Sequence, residues 1–231
     1  MPPSTESLAE INATLRDRSP LEIVRWAVAQ GQGRALVSTN FRPYEAVILH
    51  LCVTAQPAIP VLWVDHGYNR PATYRHAEDL RARLNLNLKP YLPRLTPAHR
   101  EALHGPLPEL TDEAGLQQFS AQMKLEPFQR GMRELAPTVW ITALRKVQNP
   151  GRANLDIVSP DANFGALKVS PLFHATDAEL EAYLAQHQLP NEWDYFDPAK
   201  ADEKRECGLH ASWGGKFVAR PGIEGEAAVL I

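Results

Sequence analysis

"RALVSTNFRP", residues 34–43, decides the fold. Its first half is a short apolar, partly β-branched run, which predicts a buried strand over 34–39. The run breaks at Asn40-Phe41-Arg42, and Pro43 is placed to open a helix on which Val47, Ile48, Leu51 and Cys52 share one face. A strand that feeds directly into a helix is the repeating unit of α/β folds with a mainly parallel sheet. Outward from this stretch the alternation recurs. Upstream, Ser19-Pro20 reads as the N-cap and first residue of a helix through LEIVRWAVAQ that stops at Gly31 or Gly33. Downstream, "IPVLWVD" (59–65) is a second strand ending in an acid, His66-Gly67-Tyr68 a turn, and "ATYRHAEDLRARL" a helix of good formers. "NLNLKPY" (85–91), "TVWITAL" (138–144) and "ALKVSPLF" (166–173) are the remaining expected strands. Residues 96–136 read as mostly helical, interrupted at Gly105-Pro106 and at Pro127, and Thr176-Asp177-Ala178-Glu179 is a capping box opening a last helix. After Pro190 the chain turns irregular, aromatic and charged.

The bulk composition narrows the classes. With 231 residues, 44% apolar and 22% charged, the chain has ordinary globular composition and enough length for one substantial core. No apolar run reaches membrane-span length, and the first twenty residues lack the basic start and apolar stretch of a secretory signal, so no membrane association is expected. Two cysteines are too few for a disulfide scaffold, which points to a reducing cytoplasm. They also cannot supply a four-cysteine iron–sulfur cluster within one chain. A net charge of −3 gives no global basic field for nucleic acid, so an anionic small ligand would need a local cluster of cations.

Parallel sheets bind ligands beyond the carboxyl ends of their strands. That places three loops on one rim: 38–43, 65–70 and 145–152. In the first, Ser38, Thr39 and Asn40 can present hydroxyl and backbone donors to a phosphate, with Arg42 adding charge; an ordinary strand-to-helix turn is the plainer alternative. In the second, Asp65 can bind a ribose hydroxyl or base amino group, or cap the next helix, and Gly67 permits a turn that a side chain would obstruct. In the third, Arg145, Lys146 and Arg152 follow a buried strand, and guanidinium groups grip phosphate or sulfate with paired bonds; a solvated basic loop is the alternative.

A fourth stretch, "KRECGLH" (204–210), sets Cys207 among Lys204, Arg205 and His210. Neighbouring cations lower the pKa that controls thiolate formation, while Glu206 opposes them. A surface thiol without a role is a serious competitor. Zinc held by Cys207 and His210 is weaker, because the other cysteine, Cys52, lies in the apolar run VILHLCVTA.

These pieces, in this order, resemble the phosphoadenylyl-sulfate (PAPS) reductases. The resemblance runs from about Ala35 to His210 and rests on Glu206-Cys207-Gly208-Leu209-His210, "ALRKVQNPGRA", "VDHGYNRPATYRHAEDL" and "LVSTNF". It implies an adenine-nucleotide α-hydrolase-like (PP-loop) fold. It also implies a nucleotide-binding α/β domain over 1–190 and a mobile tail over 191–231 that carries the catalytic cysteine. The implied reaction converts PAPS and reduced thioredoxin to sulfite, adenosine 3′,5′-bisphosphate and oxidised thioredoxin, with Cys207 as nucleophile and an S-sulfocysteine intermediate. In that scheme Arg145 and Arg152 offset charge on the phosphosulfate, Asp65, Gly67 and Tyr68 line the nucleoside side, and Arg42 and Arg70 are candidates for the 3′-phosphate. Lys146 assists or faces solvent, and Lys204, Arg205 and His210 travel with Cys207. No bound cofactor or cluster is expected, glutaredoxin is an alternative reductant, and a homodimer is the implied assembly.

Some features depart from the family. Asn40-Phe41-Arg42 stands where the family has Ser-Phe-Gly, and Asn149-Pro150-Gly151 where small hydroxyl residues are common. Rival readings are a cluster-free adenylyl-sulfate reductase, a PP-loop ATP-pyrophosphatase-type enzyme, and a catalytically silent nucleotide-binding regulator. The second would want a Ser-Gly-Gly-x-Asp-Ser loop, which "STNFRPYE" does not provide.

Overall fold

A computed structural model describes residues 5–148 and 155–198. Among the described residues six strands form one sheet in the order β3-β2-β1-β4-β6-β5. β1 (Ala35–Thr39), β2 (Pro60–Val64), β3 (Asn87–Tyr91), β4 (Val139–Ile141) and β6 (Leu167–Val169) are parallel, and only β5 (Val158–Pro160) runs against its neighbour β6. Central strands alternate between two apolar faces, as the two-residue period of a strand requires. Val37, Val61, Trp63, Val139 and Ile141 face one core; Leu36, Leu62, Val64 and Trp140 face the other.

The larger core is covered by α1 (Thr5–Arg16), α2 (Pro20–Gly31), α3 (Glu45–Ala55), α4 (Pro71–Leu84) and α8 (Asp177–Gln186). The smaller is covered by α7 (Glu126–Leu135), through Phe128 and Met132. Gly131 lets α7 lie close on the sheet: a Cβ there would stand 2.7 Å from Leu62 Cδ1. Between β3 and α7 the chain forms α5 (Pro97–His104) and α6 (Glu113–Ser120), whose Phe119 packs with Met123, Tyr68 and Leu107.

The expected strands are present, the N-cap expected at Ser19 forms and is completed by Glu22 into a capping box, and the capping box expected at Thr176 forms. Three expectations are corrected. The helix after Pro43 begins only at Glu45, because Tyr44 takes a left-handed conformation (φ 70°). That helix is buried on nearly all sides rather than on one face, through Ala46, Val47, Ile48, Leu49, Leu51 and Cys52, as befits a helix apolar all round. Pro127 interrupts nothing: a π turn over Ala121–Leu125 carries α6 into α7, and Pro127 sits in the first turn of α7, where its missing N–H is tolerated. β5 was not anticipated; three residues are too few to show a period. Its edge is guarded by Asn12, whose side chain bonds both the N–H (2.8 Å) and the carbonyl (2.9 Å) of Val158. Among the described residues no helix is long and apolar enough to cross a membrane.

Candidate active site

The strand order reverses beside β1. The chain steps from β1 to β2 and β3 on one side, and from β4 to β6 on the other. The turns leaving β1 and β4 therefore diverge and open a crevice at the carboxyl ends of the strands. The turn after β1 is organised by one buried carboxylate. Glu45 Oε2 accepts from the Thr39 hydroxyl (2.8 Å) and the Asn40 N–H (2.7 Å), while Oε1 accepts from Arg42 Nε (2.8 Å). Thr39 Oγ1 in turn accepts from the Phe41 N–H at 3.0 Å. Positive φ falls on Phe41 (54°) and Tyr44 (70°) and not on Arg42. The arginine in the glycine position therefore needs no special backbone; its side chain swings aside to Glu45 and to Gln148 Oε1. Ser38 Oγ accepts from Trp140 Nε1 at 2.8 Å, which ties β1 to β4 on the α7 face.

Across the crevice Arg145 is buried. Its guanidinium pairs with Asp177 in the first turn of α8 and lies 5.2 Å from the centre of the Tyr44 ring. Gln148 Oε1 accepts from the Arg145 N–H (3.3 Å) as well as from Arg42, so it couples the two turns. Lys146 begins a single 3₁₀ turn and is exposed.

The turn after β2 is held by Asp65. Its Oδ1 accepts from the Gly67 N–H (3.0 Å), Asn69 Nδ2 (3.1 Å) and the Tyr74 hydroxyl (2.8 Å), and that last bond, after burial, pushes the Tyr74 phenol up to about 12. The helix cap that was the plainer alternative for Asp65 is not seen: Arg70 is the N-cap of α4. Gly67 has φ 77°, and a Cβ there would meet Pro97 Cγ at 2.6 Å. Tyr68 turns toward the α5–α6 arm, with its ring edge-on to Phe119 and its hydroxyl directed at the Pro97 carbonyl. Arg70 pairs with Asp194 and lies over the Phe196 ring.

The π turn before α7 adds a cation that sequence reasoning missed. Lys124 Nζ contacts both carboxylate oxygens of Asp197, at 2.8 and 2.7 Å, and both side chains are only 6% exposed. Beside the pair lies buried His66, whose Nδ1 accepts from the Tyr68 N–H at 3.1 Å, leaving the proton of the neutral ring on Nε2. Burial first, and then the Lys124 charge, lower its pKa to about 4, against the opposing pull of Asp197 and Asp65.

Residues 34–193 match the phosphoadenosine phosphosulfate reductase domain. A phosphoadenosine 5′-phosphosulfate reductase from Synechococcus sp. is 35% identical over 233 aligned positions, covering 91% of this chain and all of the relative. The chain belongs to the phosphoadenosine phosphosulfate reductase family. A crystal structure of the PAPS reductase of Candida auris, in complex with phosphate, shares the fold at TM-score 0.72 and 24% identity, covering 83% of this chain and 91% of that one. The NH3-dependent NAD synthetase of Campylobacter jejuni superposes more loosely, at TM-score 0.51 and 17% identity over 74% of this chain and 71% of that one, which places the sheet in the PP-loop class.

Of the residues that the family resemblance singled out, Ser38, Thr39, Asn40, Arg42 and Arg145 meet at the crevice, and Asp65, Gly67, Tyr68 and Arg70 form the next turn along the same rim. Arg152, Lys204, Arg205, Cys207 and His210 lie outside the described residues. Cys52 is buried within α3, and burial raises its thiol pKa well above the usual range, so it is a packing residue. Sequence reasoning missed Lys124, Glu45, Asp177, Asp194 and Asp197. The signal for Lys124 was a cation set between Met123 and Leu125 in a helical stretch. The acids carried none, since their partners are distant in sequence or lie in a turn.

Proposed function

We propose that the chain reduces PAPS to sulfite and adenosine 3′,5′-bisphosphate, with Cys207 as nucleophile and thioredoxin as reductant. The observation that carries this reading is the gathering of Arg42, Arg145, Arg70 and Lys124 at the carboxyl ends of β1, β2 and β4, on a chain whose family is that of the PAPS reductases. Cationic groups fixed around a phosphosulfate stabilise the charge that collects on the departing phosphate. The Cys207 thiolate attacks the sulfate sulfur, the S–O bond to the nucleotide phosphate breaks, and an S-sulfocysteine forms. Dividing one hard displacement into two suits a soft, strong nucleophile. A thioredoxin thiolate then attacks Cys207 Sγ and expels sulfite. The second thioredoxin thiol resolves the mixed disulfide, so the dithiol supplies both electrons and returns Cys207 as thiolate. The segment that carries Cys207 brings it to the bound substrate and excludes water as it closes. With only two cysteines in the chain, a four-cysteine cluster of the kind associated with adenylyl-sulfate reduction has no ligands here, which favours PAPS.

Intact-protein mass spectrometry after mixing with PAPS alone tests the reading. The expected result is a sulfo adduct at Cys207, removed by reduced thioredoxin and absent in Cys207→Ser. A protein that binds PAPS but forms no adduct would overturn it.

A further inference from the structure

Each of the four rim cations described above already has a carboxylate. Arg42 and Arg145 take theirs from α3 and α8, helices rooted in the core. Arg70 and Lys124 take theirs from residues 191–198, which form no helix or strand. This strap crosses the rim on side-chain contacts. Asn191 Oδ1 accepts from the Tyr44 N–H at 2.8 Å, and Trp193 packs edge-on to Tyr44. Asp194 and Phe196 engage Arg70, and Asp197 engages Lys124. Ten residues further along the chain is Cys207.

A buried ammonium needs an anion, but not a particular one. Its pairing with a carboxylate roughly balances the desolvation of both, so exchange for a phosphate or sulfate oxygen keeps the pairing and returns the carboxylate to water. A polyanion entering this rim also repels Asp194 and Asp197. Because both sit on one short segment, losing them loosens its 194–197 stretch together.

We infer that residues 191–198 are an internal counter-anion: Asp194 and Asp197 compete with the anionic groups of the nucleotide for Arg70 and Lys124, and substrate binding displaces the strap. This rests on the proposed function and adds to it a coupling between nucleotide binding and displacement of residues 191–198. Linkage makes that coupling reciprocal: the docked strap weakens nucleotide binding by the same factor that bound nucleotide weakens strap docking, so a strap that docks less well lets nucleotide bind tighter.

The test is calorimetric binding of adenosine 3′,5′-bisphosphate to the full chain, with hydrogen exchange of the amides of residues 191–198. Asp197→Asn is expected to bind about fivefold tighter or more. Asp194→Asn, at a half-exposed pair, is expected to bind about twofold tighter, and it carries the test if Asp197→Asn does not fold. Glu192→Gln removes an equal charge from the same strap, where Glu192 accepts only the Asp194 N–H in the contacts described, and is expected to bind as wild type. In the wild type, nucleotide is expected to speed exchange across 191–198. Affinities unchanged or weakened in both aspartate variants, or an equal gain in Glu192→Gln, would overturn the inference while leaving the reaction intact. A wild type that does not bind the nucleotide would overturn the proposed function itself, and the inference with it.

Discussion

On the β1–β4 side of the rim, Arg42 and Arg145 meet carboxylates that belong to α3 and α8; on the β2 side, Arg70 and Lys124 meet carboxylates from a strap with no backbone ladder. The charges are alike and the anchoring is not. In the first half Glu45 gathers a hydroxyl, an N–H and a guanidinium within one turn, so removing it dismantles the turn. In the second half each ion pair spans a long sequence separation and can part without unfolding a helix or strand. A cationic rim can thus be built in on one side and exchangeable on the other.

The contrast can be broken or sharpened at four points. Glu45→Ala leaves Arg42 and the Thr39–Asn40 donors without their carboxylate, and is expected to cost about 3–5 kcal/mol in urea unfolding. The next effect is on pH dependence. His66 has a folded pKa of about 4, below its unfolded value near 6.5, because burial disfavours the charged ring. Its contribution is therefore fully present above the unfolded pKa and is lost as pH falls toward the folded one, on the order of 3 kcal/mol in all. Wild type should lose that much more than His66→Gln between pH 7 and pH 4, measured as the difference in urea unfolding free energy. Gly67→Ala forces a side chain onto positive φ and against Pro97, and is expected to cost about 1–3 kcal/mol by the same measurement. Asp194→Asn should be smallest, under about 0.5 kcal/mol, since both partners of its pair are half exposed. Were Asp194→Asn to destabilise as much as Glu45→Ala, the two halves would be equally built in and the contrast would fail.

What the sequence determined by itself was local. Runs such as ALVST and PVLWV specify buried strands, because a strand covered on both faces is apolar throughout. Ser19 and Thr176 mark helix starts, because a side-chain oxygen satisfies an orphaned N–H a few residues on. Their order, with the motifs on the connecting turns, was enough to point to the right fold and family. The rest was decided in three dimensions. The antiparallel edge strand β5 is too short to carry a pattern and depends on β6 and Asn12. Lys124 looks like an ordinary helical lysine until the π turn and the crossover of α7 carry it to the rim beside His66. The pairings Arg70–Asp194 and Lys124–Asp197 join residues 124 and 73 positions apart. Periodicity and capping act over a few residues, whereas charge pairing acts through space, and only the folded sheet brings those charges to one edge.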